Sequence, residues 1–372
     1  MKLKLMLSIY LTSQTREPDR QTIGQMERPS IIKNFSMYGI YEHYSRGGPG
    51  TLVNAKTGFL HRCMYLQHQT QDEINEIIQR HSRFVVLIQQ NAYAMWLFQT
   101  EIQPLLHEAN KPYVIITCMD DSTFPNKVVG NFFNTITNEK SSADKKPCSA
   151  LFRHWFTTNC SVRDIDGLAP ATALAKITPI PYGVDYWTLT IRKTWANTHM
   201  AGAHRQDREL SRLRESMLHF SKRHDARTSS PLRIYINFQF NLNGNGCFER
   251  LFAYYTIPRD LMNIERRRVN RYETWGAYTQ NVFVASPRGN GLDTIRTWEA
   301  LMLGCIVIVQ RIPGSSVIEE LYADLPVVII DRWSDLSRDF LDRILSEYSR
   351  RTFRYEKLTM QYWIDRIEAA FE

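Results

Sequence analysis

The sequence lacks most of the patterns that announce metal, redox or membrane chemistry. Its six cysteines (Cys63, Cys118, Cys148, Cys160, Cys247 and Cys305) never come closer than a dozen residues. No Cys-x-x-Cys pair therefore exists to serve as a zinc or thiol–disulfide motif. No His/Cys/Asp cluster falls at ligand spacing, which points away from a required metal. No apolar run reaches the length of a transmembrane helix. Residues 1–11 have a short apolar core interrupted by Lys4 and no small-residue cleavage site, so they read as a first strand rather than a leader. Cys118 and Cys305 fall at predicted strand ends as buried thiols. Together these features give a cytoplasmic, reducing location, with peripheral membrane contact left open. Neither Gly-x-x-x-x-Gly-Lys-Ser/Thr nor Gly-x-Gly-x-x-Gly occurs, which disfavours a P-loop ATPase and a nicotinamide dehydrogenase. No internal repeat or low-complexity tract interrupts the chain.

What remains is an ordinary globular composition over 372 residues, 43% hydrophobic and 23% charged, long enough for two domains. The net charge of +8 suits an anionic ligand, an anionic membrane surface or nucleic acid. The basic residues are dispersed, with local clusters near 203–227 and 259–271 that read as solvated helical faces rather than a nucleic-acid groove.

One stretch organises the rest: Ser286-Pro-Arg-Gly-Asn-Gly-Leu-Asp-Thr-Ile-Arg-Thr-Trp-Glu-Ala-Leu-Met-Leu-Gly304. The apolar run 281–285 before it predicts a buried strand. Pro287, Gly289 and Gly291 turn that strand into a tight loop. Asp293 or Thr294 offers an N-cap. Ile295, Trp298, Leu301 and Met302 recur at helical spacing, and Gly304 is a natural stop. The run 305–309 predicts another strand, completing a βαβ crossover. Glycines admit close backbone approach, and free N–H groups at a helix start attract anions. Arg288, Gly289, Asn290, Gly291 and Asp293 belong to the loop. Arg296 and Glu299, three residues apart, share a helix face opposite Trp298 and Met302. That face would offer a cation to phosphate and a carboxylate to a sugar hydroxyl. A surface Arg–Glu pair beside a tight turn is the plain alternative. The concentration of these residues in one unit favours a ligand site.

A second loop supports this. The run 232–238 predicts a strand ending at Asn237. Asn241-Leu-Asn-Gly-Asn-Gly246 follows, with Gly244 and Gly246, and Arg250 lies one turn later. If the two strands are neighbours, both loops meet at one crevice and suit a diphosphate.

Earlier in the chain, strand 84–88, a helix over 92–108 carrying Pro104, and strand 113–117 predict a second Rossmann-like half. That last strand runs into Met119-Asp120-Asp121-Ser122. Asp120 and Asp121 are candidates for a general base or for Asx-turn chemistry that closes the loop. His43, in an aromatic-rich segment, is another candidate base. Asn34-Phe-Ser36 and Asn159-Cys-Ser161 match glycosylation sequons but carry little weight without a secretory signal.

Residues 286–308, Leu321-Tyr-Ala-Asp-Leu-Pro-Val-Val-Ile-Ile-Asp-Arg-Trp-Ser-Asp335, Ile180-Pro-Tyr-Gly-Val-Asp-Tyr186 and Asn237-Phe238 resemble exostosin-like glycosyltransferases. The resemblance covers roughly the last half of the chain. It implies an α/β, GT-B fold of two Rossmann-like domains facing a cleft. The expected division is an acceptor-side domain over 1–185, a basic helical connector over 186–230, a donor domain over 231–352, and a helix over 353–372 crossing back. The implied activity is inverting, metal-independent transfer from a nucleotide-diphosphate sugar, a UDP-sugar first, to a glycan acceptor, with no cofactor and no nucleic acid. Trp187 stands where the family pattern has His, so whatever that His does in relatives is not carried over. A nucleotide-sugar epimerase and a non-catalytic basic glycan- or nucleic-acid-binding module are the alternatives.

Overall fold

Short runs of β-branched and aromatic residues form two all-parallel sheets. The computed structural model describes residues 33–45, 71–89, 95–96, 98–118, 148–161, 175–186, 202–225, 231–240, 245–267, 269–312 and 316–372. All belong to the unit Ile32–Glu372.

The first sheet contains β1 (Phe84–Gln89), β2 (Tyr113–Cys118), β3 (Phe152–Thr157) and β4 (Ile177–Pro179), in spatial order β1-β2-β3-β4. Every residue of β2 is buried, as expected for a parallel strand covered on both faces. Helix α1 (Met37–Ser45) and α2 (Gln71–Arg80) precede this sheet. The helix expected over 92–108 is broken in its described part. A π-helical turn at Phe98–Ile102 runs into α3 (Gln103–Glu108). Pro104 lies in the first turn of α3, directly after the π-helical turn. A short α4 (Cys148–Leu151) leads into β3.

Helices α5 (Ala203–Ser216) and α6 (Phe220–Asp225) connect to the second sheet. Its strands are β5 (Ile234–Ile236), β6 (Met262–Ile264), β7 (Phe283–Ala285), β8 (Ile306–Gln310) and β9 (Val327–Ile330). The helices are α7 (Asn245–Thr256), α8 (Arg271–Gln280), α9 (Ile295–Met302), α10 (Ser316–Tyr322), α11 (Arg338–Tyr348) and α12 (Met360–Ala369). The spatial order is β6-β5-β7-β8-β9. The direction of winding therefore reverses between β5 and β7, and ligands of such sheets bind at the carboxyl ends of the strands flanking that reversal. The chain thus adopts the mixed α/β class with parallel sheets.

The predicted crossover is present as β7–α9–β8. Gly304 ends α9 in the left-handed conformation at φ 67°, and the bonds Gly304 N–H to Leu301 O (3.0 Å) and Cys305 N–H to Ala300 O (3.0 Å) close the helix. One buried cluster joins Val114 and Ile116 of β2, Val284 of β7, Val307 of β8, Trp298 of α9 and Trp363 of α12. A second covers the other face of the second sheet, with Ile234, Phe283, Ile306 and Leu341.

The connector is tied down by one buried cation. Arg223 of α6 donates to the carbonyls of Leu218 (2.7 Å), Tyr278 (3.0 Å), Asn281 (2.9 Å) and Leu303 (2.5 Å). It thereby satisfies the orphan carbonyls at the ends of α8 and α9. Part of the basic cluster near 203–227 is thus internal. Arg223→Ala should cost about 3 kcal/mol or more in denaturant unfolding, because several buried carbonyls lose their donor at once. A loss under about 1 kcal/mol would mean that the guanidinium is dispensable.

Candidate functional site

The two glycine-bearing loops follow β5 and β7, which are hydrogen-bonded neighbours. Their described parts are cross-braced. Arg296, in the first turn of α9, donates from Nε to Asn237 Oδ1 at 3.1 Å and lies 5.8 Å from the Phe238 ring centre. Arg250, on α7, donates to the carbonyls of Arg288 (3.1 Å) and Gln239 (2.8 Å). The conditional expectation, that the loops meet if their strands adjoin, therefore holds for Asn237, Arg250, Arg288 and Arg296. Gly246 lies in the first turn of α7. Gly244 lies outside the described residues.

Beside this crossing is a concave site at the carboxyl ends of β7 and β8. Glu249, Ser286, Arg288, Thr294, Thr297, Arg311 and Glu319 line it. Three hydroxyls form its floor: Ser286 Oγ lies 2.9 Å from Thr294 Oγ1 and 2.8 Å from Thr297 Oγ1. Glu249 went unnoticed in the sequence, although it stands directly before Arg250. It accepts from the Arg288 backbone N–H (3.0 Å) and pairs with the Arg288 guanidinium (3.2 Å). Burial raises its carboxyl above the usual range, against the pull of Arg288 and Arg250. Arg311, also missed, is held by Glu319 and Asp331.

Asp293 and Gly291 do a different job from the one their sequence context suggests. Asp293 is buried, and both carboxylate oxygens are occupied from inside the protein. Oδ2 accepts from Tyr182 N (2.9 Å) and Trp298 Nε1 (2.6 Å); Oδ1 accepts from Thr294 N (2.8 Å) and Tyr322 OH (3.1 Å). Its own N–H donates to Asn159 Oδ1 at 2.9 Å. Thr294, not Asp293, is the N-cap of α9. A Cβ on Gly291 would come within 2.6 Å of the Asn159 side chain, so this glycine serves packing against the end of β3. At Gly289 the nearest atom would be 3.4 Å away, leaving the backbone approachable. Asn290 between them is exposed.

Glu299 is buried and lies 3.4 Å from Arg271 Nε. Burial pushes its carboxyl up, opposed first by Arg271. Arg271 also reaches the Asp185 backbone carbonyl, the Asp185 carboxylate (3.6 Å) and Gln206 Oε1 (3.0 Å). The expected Arg296/Glu299 face therefore exists, and its carboxylate is neutralised by an arginine that sequence spacing did not reveal.

The candidate bases stand apart from this cluster. Asp120 and Asp121 lie outside the described residues. His43 is near Glu368, which pairs with Arg83 (2.8 Å) directly before β1, at the amino ends of the strands. Burial lowers its pKa, with Glu368 pulling the other way. His154 is half-buried: it bonds Thr178 Oγ1 at 2.7 Å, and burial brings its pKa down to about 4. Both sequon asparagines, Asn34 and Asn159, are buried, which closes them to glycosylation in the folded chain. Among the described residues no group of three His, Cys, Asp or Glu side chains is placed to hold a metal, and no helix is long and apolar enough to cross a membrane.

No family model and no curated protein matches the chain. A solved E. coli structure, described as trehalose-6-phosphate bound with UDP-2-fluoro glucose, is similar at 11% identity over 86% of this chain and 75% of that one, with a TM-score of 0.28. Likeness at that level fixes neither fold nor function.

Asp293 supplies a pH test. Burial raises it from 3.8 to about 6 against its four donors. A carboxyl raised on folding adds stability that is complete below about pH 4 and is lost as pH rises through about 6; the full effect is about 3 kcal/mol. Wild-type protein should therefore lose Tm between about pH 4 and 6. Asp293→Asn, less stable throughout because two donors meet an amide NH2, should lose clearly less Tm than wild type over that interval. Parallel pH profiles of the two proteins would overturn the assignment.

Proposed function

We propose that the chain is a GT-B glycosyltransferase that moves a sugar from a nucleotide-diphosphate sugar, a UDP-sugar first, to a glycan hydroxyl. The observation that carries this is the crossing of two arginine-bearing loops at the β5/β7 reversal, with Arg296 on Asn237 and Arg250 on the Arg288 carbonyl. The exostosin-like subtype rests on the sequence resemblance alone. In this proposal residues 1–185 form the acceptor wall and 231–352 the donor wall; 186–230 joins them, and 353–372 returns to the first.

The chemistry is a displacement at the anomeric carbon, with inversion. The acceptor oxygen bonds to that carbon as its bond to the diphosphate oxygen breaks. A base takes the acceptor proton, and the diphosphate leaves with the electron pair. Negative charge grows on the leaving group, so fixed cations and N–H donors there lower the barrier. In this proposal Arg288, Arg296 and the backbone around Gly289 would do this, while Arg250 holds the loop carbonyls. Glu299 would accept from ribose hydroxyls, with Arg271 as its ion-pair partner. Asp120 or Asp121 is the proposed base. His43 is the weaker candidate because its neighbours place it near the amino ends of the strands. Transfer needs no metal in this scheme and should survive excess chelator.

Two measurements check the halves separately. Arg296→Ala should weaken nucleoside-diphosphate binding in calorimetry by roughly ten- to a hundredfold, the worth of a charge-assisted hydrogen bond, with Tm little changed. Unchanged affinity there, or binding displaced by DNA rather than by a nucleoside diphosphate, would favour the basic-module alternative. Asp120→Asn or Asp121→Asn, whichever is the base, should abolish transfer and leave donor affinity within about twofold, since a base acts only on the acceptor proton. Full transfer by both variants would place the base elsewhere.

A further inference from the structure

Six large apolar side chains are exposed among the described residues, and four of them lie on or beside one helix. Phe248, Phe252 and Tyr255 follow one another at i, i+4 and i+7 on α7, so they form a single stripe. They are 63%, 65% and 71% exposed, and Phe240 adjoins them at 38%. The charges of α7, Glu249 and Arg250, are both turned inward to the loop after β7. The helix thus inverts the usual surface pattern: ions inside, three aromatic rings outside. Tyr254 links the stripe to Phe240 (5.1 Å between ring centres), and the Arg259 guanidinium stacks 4.4 Å over Tyr254.

Contiguous exposed apolar surface on a soluble fold marks a contact. Three occupants fit aromatic rings, and charge and chemistry separate them. A second copy would bring together two chains of net charge +8, which repel. A glycan stacked on the rings needs hydrogen-bonding side chains beside them, yet apart from the Tyr255 hydroxyl on one of the rings themselves, the exposed described positions of α7 offer only the Thr256 hydroxyl. That hydroxyl already donates to the Phe252 carbonyl at 2.6 Å. An anionic bilayer surface meets both features: aromatic rings sit well at the lipid headgroup level, and a cationic protein is drawn to it. We infer that the Phe248/Phe252/Tyr255 face of α7, flanked by Phe240 and Arg259, is a peripheral docking surface for an anionic lipid membrane.

Docking there would hold the neighbouring carboxyl-end crevice, which Glu249 and Arg250 of the same helix help build, close to the membrane. The inference does not depend on the reaction proposed above, and its test involves no nucleotide. Full-length protein is floated with phosphatidylcholine vesicles containing about one-third phosphatidylserine, and with pure phosphatidylcholine vesicles. Wild type should float with the anionic vesicles, at least tenfold less with the neutral ones, and less again in high salt. The triple variant Phe248→Ser/Phe252→Ser/Tyr255→Ser should lose at least nine-tenths of that binding with an unchanged Tm. As a second arm, Arg259→Glu should weaken anionic binding while leaving the rings in place. Wild type that stays out of anionic vesicles would overturn the inference, as would a folded triple variant that floats like wild type. So would a wild-type dimer in sedimentation that the triple variant splits, which would make the stripe a self-association face.

Discussion

The buried carboxylate of Asp293 is the constraint on which the arrangement depends. One side chain accepts from the segment after β4 through Tyr182, from its own helix through Trp298 and Thr294, and from α10 through Tyr322. Its backbone N–H reaches Asn159 at the end of β3. Five contacts from four places in the chain thus converge on one residue in a loop of the second sheet. A carboxylate buried this deeply is costly unless hydrogen-bonded, and full satisfaction makes the position of the loop hard to change. Arg288 and Gly289, a few residues earlier, are therefore held rather than left to sample many conformations. Donors fixed before a ligand arrives are what stabilisation of developing charge requires.

The same logic extends outward. Arg250 holds the loop carbonyls, Glu249 holds Arg288, Arg271 holds Glu299, and Arg223 holds the ends of α8 and α9. Each pairing joins a residue of the glycine-loop unit to one from a distant part of the chain. The crossing at the β5/β7 reversal is thus a polar network laid over two apolar clusters. Within it Arg288 Nε and Glu299 Oε1 make ion pairs without hydrogen bonds.

What could be read from the sequence follows from this division. The β7–α9–β8 unit was legible because its signals are local: an apolar run, a glycine loop, helical periodicity and Gly304. The neighbouring strand pair could be stated only as a condition, since strand order is set by tertiary packing. Strand β6 was missed because it is three residues long and sits between Pro258 and a run of arginines. β3 was missed because Arg153 and His154 break its apolar pattern. Glu249 and Arg271 were invisible as site residues because their partners lie 39 and 28 residues away in the chain, and Arg311 because its partners, Glu319 and Asp331, sit on separate elements. Asp293 and Gly291 looked like ligand groups because their local context suits one. Only the approach of Asn159 and Tyr182 shows that they serve the fold.

The central claim is that the loops after β5 and β7 form a nucleotide-diphosphate site. Hydrogen–deuterium exchange with and without a saturating nucleoside diphosphate tests it without assuming an acceptor. The account predicts slowed exchange at 237–250 and 286–297, with little change at the amino ends of the first sheet. Protection confined to the first sheet, or no protection anywhere at saturating ligand, would contradict it.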